Sequence, residues 1–105
     1  MTFDVTENLV NGENAVGVIL GNGSYFAPRS GDPTHTRTYG YPKLLLQINL
    51  HYEDGTSSLV TSDENWKITT EGPIRANNEY DGEIYDARME LTGWAKSGYD
   101  ASTWL

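Results

Sequence analysis

The stretch from Leu44 to Tyr52 limits what this chain can become more than any other feature. Leu44, Leu46, Ile48, Leu50 and Tyr52 fall on one side of an extended chain, and Leu45, Gln47, Asn49 and His51 fall on the other. Side chains alternate across a strand, so this spacing predicts one face toward a core and one toward water. Asp54-Gly55 follows, a strong short hairpin signal. A two-residue loop there pairs Glu53 with Thr56, Leu50 with Leu59 and Ile48 with Thr61, with a return strand over Ser57 to Thr61. An antiparallel hairpin wetted on one side is the expected unit.

The rest of the chain repeats that logic in shorter pieces. Eleven glycines and four prolines sit mostly between short apolar runs, and no stretch keeps apolar residues at helical spacing. Asn14 to Leu20 is apolar on both faces, which predicts a strand inside a sheet. Asp4 to Leu9 can form one helical turn, capped by Asp4 or Thr6. Further strands are expected over Trp66 to Thr69 and Glu83 to Arg88. The expected class is all-β, an antiparallel β-sandwich or jelly roll with at most one or two short helical turns. No repeat, linker or low-complexity tract divides the 105 residues, so one domain is expected.

Charge and composition exclude several functions. Seven basic and 15 acidic side chains give a net charge of −8. That balance opposes a nucleic-acid module, which needs clustered Lys and Arg. No cysteine is present, so disulfides, zinc–thiolate sites and cysteine nucleophiles are absent. No apolar run approaches the roughly 20 residues of a membrane span. Met1 to Asn8 carries no signal-peptide pattern.

The densest polar cluster is Ala76 to Glu90, ANNEYDGEIYDARME. It holds Glu79, Asp81, Glu83, Asp86 and Glu90, the amides of Asn77 and Asn78, and Arg88. Three chemistries fit it. Asp81 and Glu83 beside Asn78 supply the oxygen ligands that calcium takes, although the spacing is not that of a helix–loop–helix calcium loop. A carboxylate pair could act as in glycosidases. The plainest alternative is a solvated turn, Tyr80-Asp81-Gly82-Glu83, whose acids bond backbone amides and Arg88.

Seven Tyr against two Phe favour surfaces that are half apolar and half wet, as a sugar face requires. Tyr25, Tyr39, Tyr41, Tyr80 and Tyr85 lie in or beside expected loops, where they could equally plug the ends of a sandwich. Trp66, Trp94 and Trp104 are expected to pack. Gly21-Asn22-Gly23-Ser24-Tyr25 permits close approach by a partner but lacks the lysine of a phosphate loop. His35 and His51 have no evident serine or acid partner, so neither a hydrolase triad nor a two-histidine zinc site is supported.

The order DVTENLVNGENAVGVILGNGSY, YGYPKLLLQINLHYEDGT, TSDENWKITTEGPI, YDGEIYDAR and GWAKSGYDASTW resembles the N-terminal β-sandwich domain of bacterial α-L-rhamnosidases. It spans about Phe3 to Trp104, and YDGEIYDAR with the final GW…W segment is its specific part. The resemblance implies a parent that removes α-L-rhamnose with inversion, using acids on a separate helical barrel. This chain would then be a non-catalytic accessory domain, cut from a larger sandwich at both ends. Some relatives bind rhamnose through bridging calcium. Carried over, Asn22, Asp81 and Glu83 are the first positions to test. Tyr25, Tyr80, Tyr85 and Arg88 complete the candidate sugar-binding set, and Asp81, Glu83 and Asn78 form the candidate metal set.

The expected partners are the rest of the parent enzyme and rhamnose-containing glycans, with self-association through an exposed sheet edge and no nucleic acid or membrane. A periplasmic or extracellular setting suits such an enzyme better than the cytoplasm. Two other classes stay open: a self-standing glycosidase using Asp81 and Glu83, and a protein-interaction sandwich.

Overall fold

The computed structural model describes residues 1–29 and 31–105. The described residues form six short strands and three single 3-10 turns, so the all-β class holds. The turns are Thr6–Asn8, Pro33–His35 and Ala87–Met89, one more than expected. The strands are β1 (Phe26–Ala27), β2 (Arg37–Thr38), β3 (Gln47–His51), β4 (Ser57–Thr61), β5 (Ile74–Asn78) and β6 (Gly82–Tyr85). They pair as three separate antiparallel hairpins, β1–β2, β3–β4 and β5–β6. Among the described residues these ladders do not join into the two packed sheets of a closed sandwich. No helix among them is long and apolar enough to cross a membrane.

The β3 alternation is as the sequence predicts through Leu50, whereas Tyr52, expected on the same core-facing side, is exposed just beyond the end of the strand. Leu44, Leu46, Ile48 and Leu50 are half-buried, while Leu45, Gln47, Asn49 and His51 are exposed. The register, however, differs by one residue. His51 pairs with Ser57, Asn49 with Leu59 and Gln47 with Thr61. The cause lies in the turn. A two-residue loop of either favoured type needs positive φ at its first central residue, here Asp54, and among the described residues only glycines have it. Instead, Gly55 N–H donates to Tyr52 O at 3.0 Å, and Gly55 takes the left-handed position at φ 84°. Tyr52 then faces Thr56, giving a three-residue loop. Asp54 fixes this form by accepting from the Thr56 amide (2.9 Å) and hydroxyl (2.6 Å). Those two bonds, the hydroxyl first, hold the Asp54 carboxyl below the ordinary carboxylate range.

Two expected strands form no strand ladder. Asn14 to Leu20 runs outside any sheet. In the Trp66 to Thr69 stretch, Ile68 alone exchanges two backbone bonds with Leu105, at 2.9 and 3.0 Å. The Glu83 to Arg88 strand ends at Tyr85, because Asp86 caps the Ala87–Met89 turn by accepting from Arg88 N–H. The Asp4 to Leu9 turn forms, with Asp4 accepting from the Thr6 amide at 2.9 Å.

The molecule is open. Its radius of gyration is 17.2 Å, where a compact domain of 100 residues has about 13 Å. Its accessible surface is 8934 Å². A closed monomer of its mass exposes roughly 5,900 Å². Among the described residues, Ala27 is the one fully buried apolar side chain, and it lies on β1 where that strand meets β5.

Candidate functional site

The best-built corner of the molecule is where β1 meets the β5–β6 turn. Asn78, buried among half-exposed neighbours, organises it. Its Oδ1 accepts from Tyr80 N–H (2.9 Å) and Asp81 N–H (2.8 Å), which closes the turn locally. Its Nδ2 donates across the chain to Pro28 O (3.1 Å) and to Asp81 Oδ2 (3.3 Å). Gly82, at φ 78°, takes the left-handed position that starts β6.

Asn77 ties in the glycine loop. Its Oδ1 accepts from Asn22 N–H at 3.1 Å, and its Nδ2 reaches Glu83 Oε2 at 3.5 Å. Asn22 O accepts from the Tyr25 and Phe26 amides, and Gly23 O accepts from Glu79 N–H. The Tyr25 ring lies 5.7 Å from Tyr39, and Phe26 lies 5.0 Å from Tyr41. Tyr25 also borders an open hollow of about 350 Å³ with Leu20, Gly21, Pro42 and Lys43.

Arg29 completes the corner, and the sequence reading missed it. Its Nε donates to Asp81 Oδ1 at 3.1 Å, with both side chains about one-third exposed. Its guanidinium carbon sits 4.9 Å above the Tyr80 ring. The neighbouring Glu79 carboxylate, accepting from the Tyr80 hydroxyl, pushes that group above the ordinary phenol pKa.

The candidate residues therefore divide. Asn22, Tyr25, Asn78, Tyr80 and Asp81 come together, and Glu83 joins through Asn77. Tyr85 sits at the opposite end of the hairpin, paired with Ile74. Its hydroxyl donates to Glu90 at 2.6 Å, which raises its pKa. Arg88 donates from Nε and Nη2 to Asp86 two residues away, at 2.8 and 2.6 Å, and its side chain is otherwise exposed. That pairing holds the Asp86 carboxyl below its usual range.

The proposed metal set is committed to contacts within the protein. Calcium takes six to eight oxygens. Here Asn78 Oδ1 already accepts two amides, and Asp81 faces a guanidinium. Among the described residues no three His, Asp or Glu side chains gather as a metal cluster. These three side chains, as they stand, do not fit a calcium cage. His35 has an acid partner that spacing did not reveal: its Nδ1 meets Asp32 Oδ2 at 2.5 Å in an exposed turn.

The sequence pattern of the alpha-L-rhamnosidase N-terminal domain matches residues 1–105. The chain belongs to that family. An alpha-L-rhamnosidase of Formosa agariphila is 48% identical over 108 residues, covering 99% of this chain and 11% of the relative. One from an Alteromonas species is 39% identical, again over 99% of this chain and 11% of the relative. One from Streptomyces avermitilis is 38% identical, over 99% and 10%. The rhamnosidase domain thus spans about a tenth of the length of the curated relatives it matches. No solved structure matches it significantly.

Proposed function

We propose that this rhamnosidase N-terminal domain is a non-catalytic accessory domain of a larger glycoside hydrolase that removes α-L-rhamnose, and that it works by packing beside the domain that breaks the bond. The observation that carries this reading is the exposed surface of 8934 Å², with a single fully buried apolar side chain among the described residues. A domain this open gains most of its burial from a neighbour. The alternative, a self-standing glycosidase, needs two carboxyl groups facing a cleft. Asp81 is instead held by Arg29 and Asn78, which argues against its serving as acid or nucleophile. The isolated chain is expected to release no product from an aryl α-L-rhamnoside. Measurable turnover abolished by Asp81→Asn would overturn the accessory reading.

A second role, sugar binding at the same domain, is favoured by one observation. Tyr25 and the tyrosine-stacked Arg29 border the same corner as Asn22 and Asn78. Rings beside amides suit a rhamnose face and its hydroxyls. Titration calorimetry with L-rhamnose, with and without calcium, separates the two roles. Heat lost in Tyr80→Ala and Tyr25→Ala marks binding at the corner. No heat in either arm leaves the packing role alone. Calcium-dependent heat would mean that Asp81, Glu83 and Asn78 rearrange on binding.

A further inference from the structure

The charges of this chain are sorted along it. Between Asn14 and Tyr52 stand Arg29, Arg37 and Lys43 against one acid, Asp32, and every other acid lies outside that stretch. In a chain of net charge −8, this is a net-positive island. The fold gathers it around the β1–β2 ribbon. Ala27 pairs with Arg37, and Tyr39 N–H donates to Tyr25 O at 2.9 Å. The Tyr25 and Tyr39 rings lie 5.7 Å apart, and Lys43 borders the same hollow as Tyr25. The Arg29 guanidinium caps the Tyr80 ring. Glu79 raises the pKa of the Tyr80 hydroxyl, while Arg37 and Arg29 act on it in the opposite sense, so both guanidiniums lie near that ring.

These groups are accessible. Tyr39 is 69% exposed, and Arg37 and Lys43 are exposed as well. Among the described residues neither of those two cations makes an ion pair. The neighbouring acids are already engaged: Asp81 with Arg29, Asp32 with His35 and Thr34, and Glu79 with the Tyr80 hydroxyl.

We propose that the β1–β2 ribbon is a binding surface for an acidic glycan, with Arg37 and Lys43 pairing to uronate carboxylates and the Tyr25, Tyr39 and Tyr80 rings stacking on the sugars between them. This rests on the sugar-binding role proposed above and names its ligand class. An exposed tyrosine offers an apolar ring for a sugar face and a polar tip for its hydroxyls. The planar arginine fork matches a carboxylate, and a positive island in an acidic surface selects and orients an anionic partner. The hollow beside Tyr25, about 350 Å³, is at the small end of ligand sites and suits a single sugar unit. A nucleic acid fits less well. It carries a charge about every 1.7 Å, so it would run its phosphates onto the acidic remainder of the molecule. A uronate-bearing glycan spaces its charges by whole sugar rings, which matches cations interleaved with tyrosines.

The test is titration calorimetry of the full-length protein with galacturonate oligomers, and with the same oligomers methyl-esterified, which keeps the sugar faces and removes the charge. Heat is expected with the acid form, weakening as salt rises, and affinity about tenfold lower or absent with the ester. Arg37→Gln with Lys43→Gln should lower affinity for the acid form about tenfold. Lys67→Gln with Lys96→Gln removes the same charge from exposed positions elsewhere and should leave it unchanged. Tyr39→Ala should weaken binding without altering its salt dependence. Equal heats with acid and ester would overturn the proposal, as would equal losses in the two double variants or tighter binding of single-stranded DNA than of the oligomers. Heat with L-rhamnose but none with galacturonate oligomers would overturn this inference and leave the sugar-binding role standing. Heat with galacturonate alone would do the reverse.

Discussion

Asn78→Ala is expected to melt the β1–β5 corner while leaving the β3–β4 hairpin intact. The substitution removes an acceptor for two amides and a donor to Pro28 O and Asp81. Leaving buried partners unmatched costs on the order of 1–3 kcal/mol each time. The Tyr80 and Asp81 amides can turn to water in this exposed turn, whereas the Asn78 bond to Pro28 O, which joins positions 50 residues apart, is lost outright. A net loss of about 2 kcal/mol follows for the corner. Exchange of the Tyr80, Asp81 and Asn22 amides should rise more than tenfold, with Asn49 and Leu59 unchanged. Asn78→Asp keeps the acceptor and loses the donor, and it sets a second carboxylate beside Asp81. It should therefore be at least as damaging at neutral pH and partly recover under acid. Equal behaviour of Asn78→Ala and the parent chain would show that the corner is held by other contacts.

Gly17→Ala is expected to dislodge the Ala15–Gly21 segment where it passes under Trp94. A methyl group there would lie 2.7 Å from Trp94 Cη2, 2.9 Å from Ala95 Cβ, and closer still to Trp94 Cζ3. Carbon atoms rest at about 3.5–4.0 Å, so either the ring or the backbone must move. Such overpacking costs about 1–3 kcal/mol. Tryptophan fluorescence should shift to the red as Trp94 is displaced. The cost should shrink in a Trp94→Leu background, since the two sites touch and their effects cannot add. An additive double mutant would place the clash elsewhere.

The sequence made some of this legible because the signal was local. The β3 alternation survives in the structure, since period-two patterning depends on nothing beyond the strand itself. The β3–β4 register was missed by one residue because Asp-Gly suits both two- and three-residue loops. The Thr56 hydroxyl, which Asp54 captures, decides between them. Asn78 carried a readable cue, an amide two residues before a turn amide. Arg29 carried none: its contact with Asp81 spans 52 residues, and no spacing rule links them. Asn14 to Leu20, apolar on both faces, reads as a strand inside a sheet. It remains outside every ladder, because pairing is a property of neighbours and not of the strand. The resemblance to rhamnosidase domains fixed the family, whereas the site assignments of Tyr85 and Arg88 failed to converge with the others, because Glu90 and Asp86 engage them locally.

Because each of the three ladders joins strands separated by only a short stretch of chain, their formation can keep pace with protein synthesis. A hairpin closes in about 1–10 μs. A ribosome adds only about 5–20 residues per second. In a protein of the relatives' length, these ribbons would stand finished beside the exit tunnel for tens of seconds before later residues emerge. During that wait, apolar flanks such as AVGVILG stay exposed, and the timing of translation becomes part of how such a protein assembles.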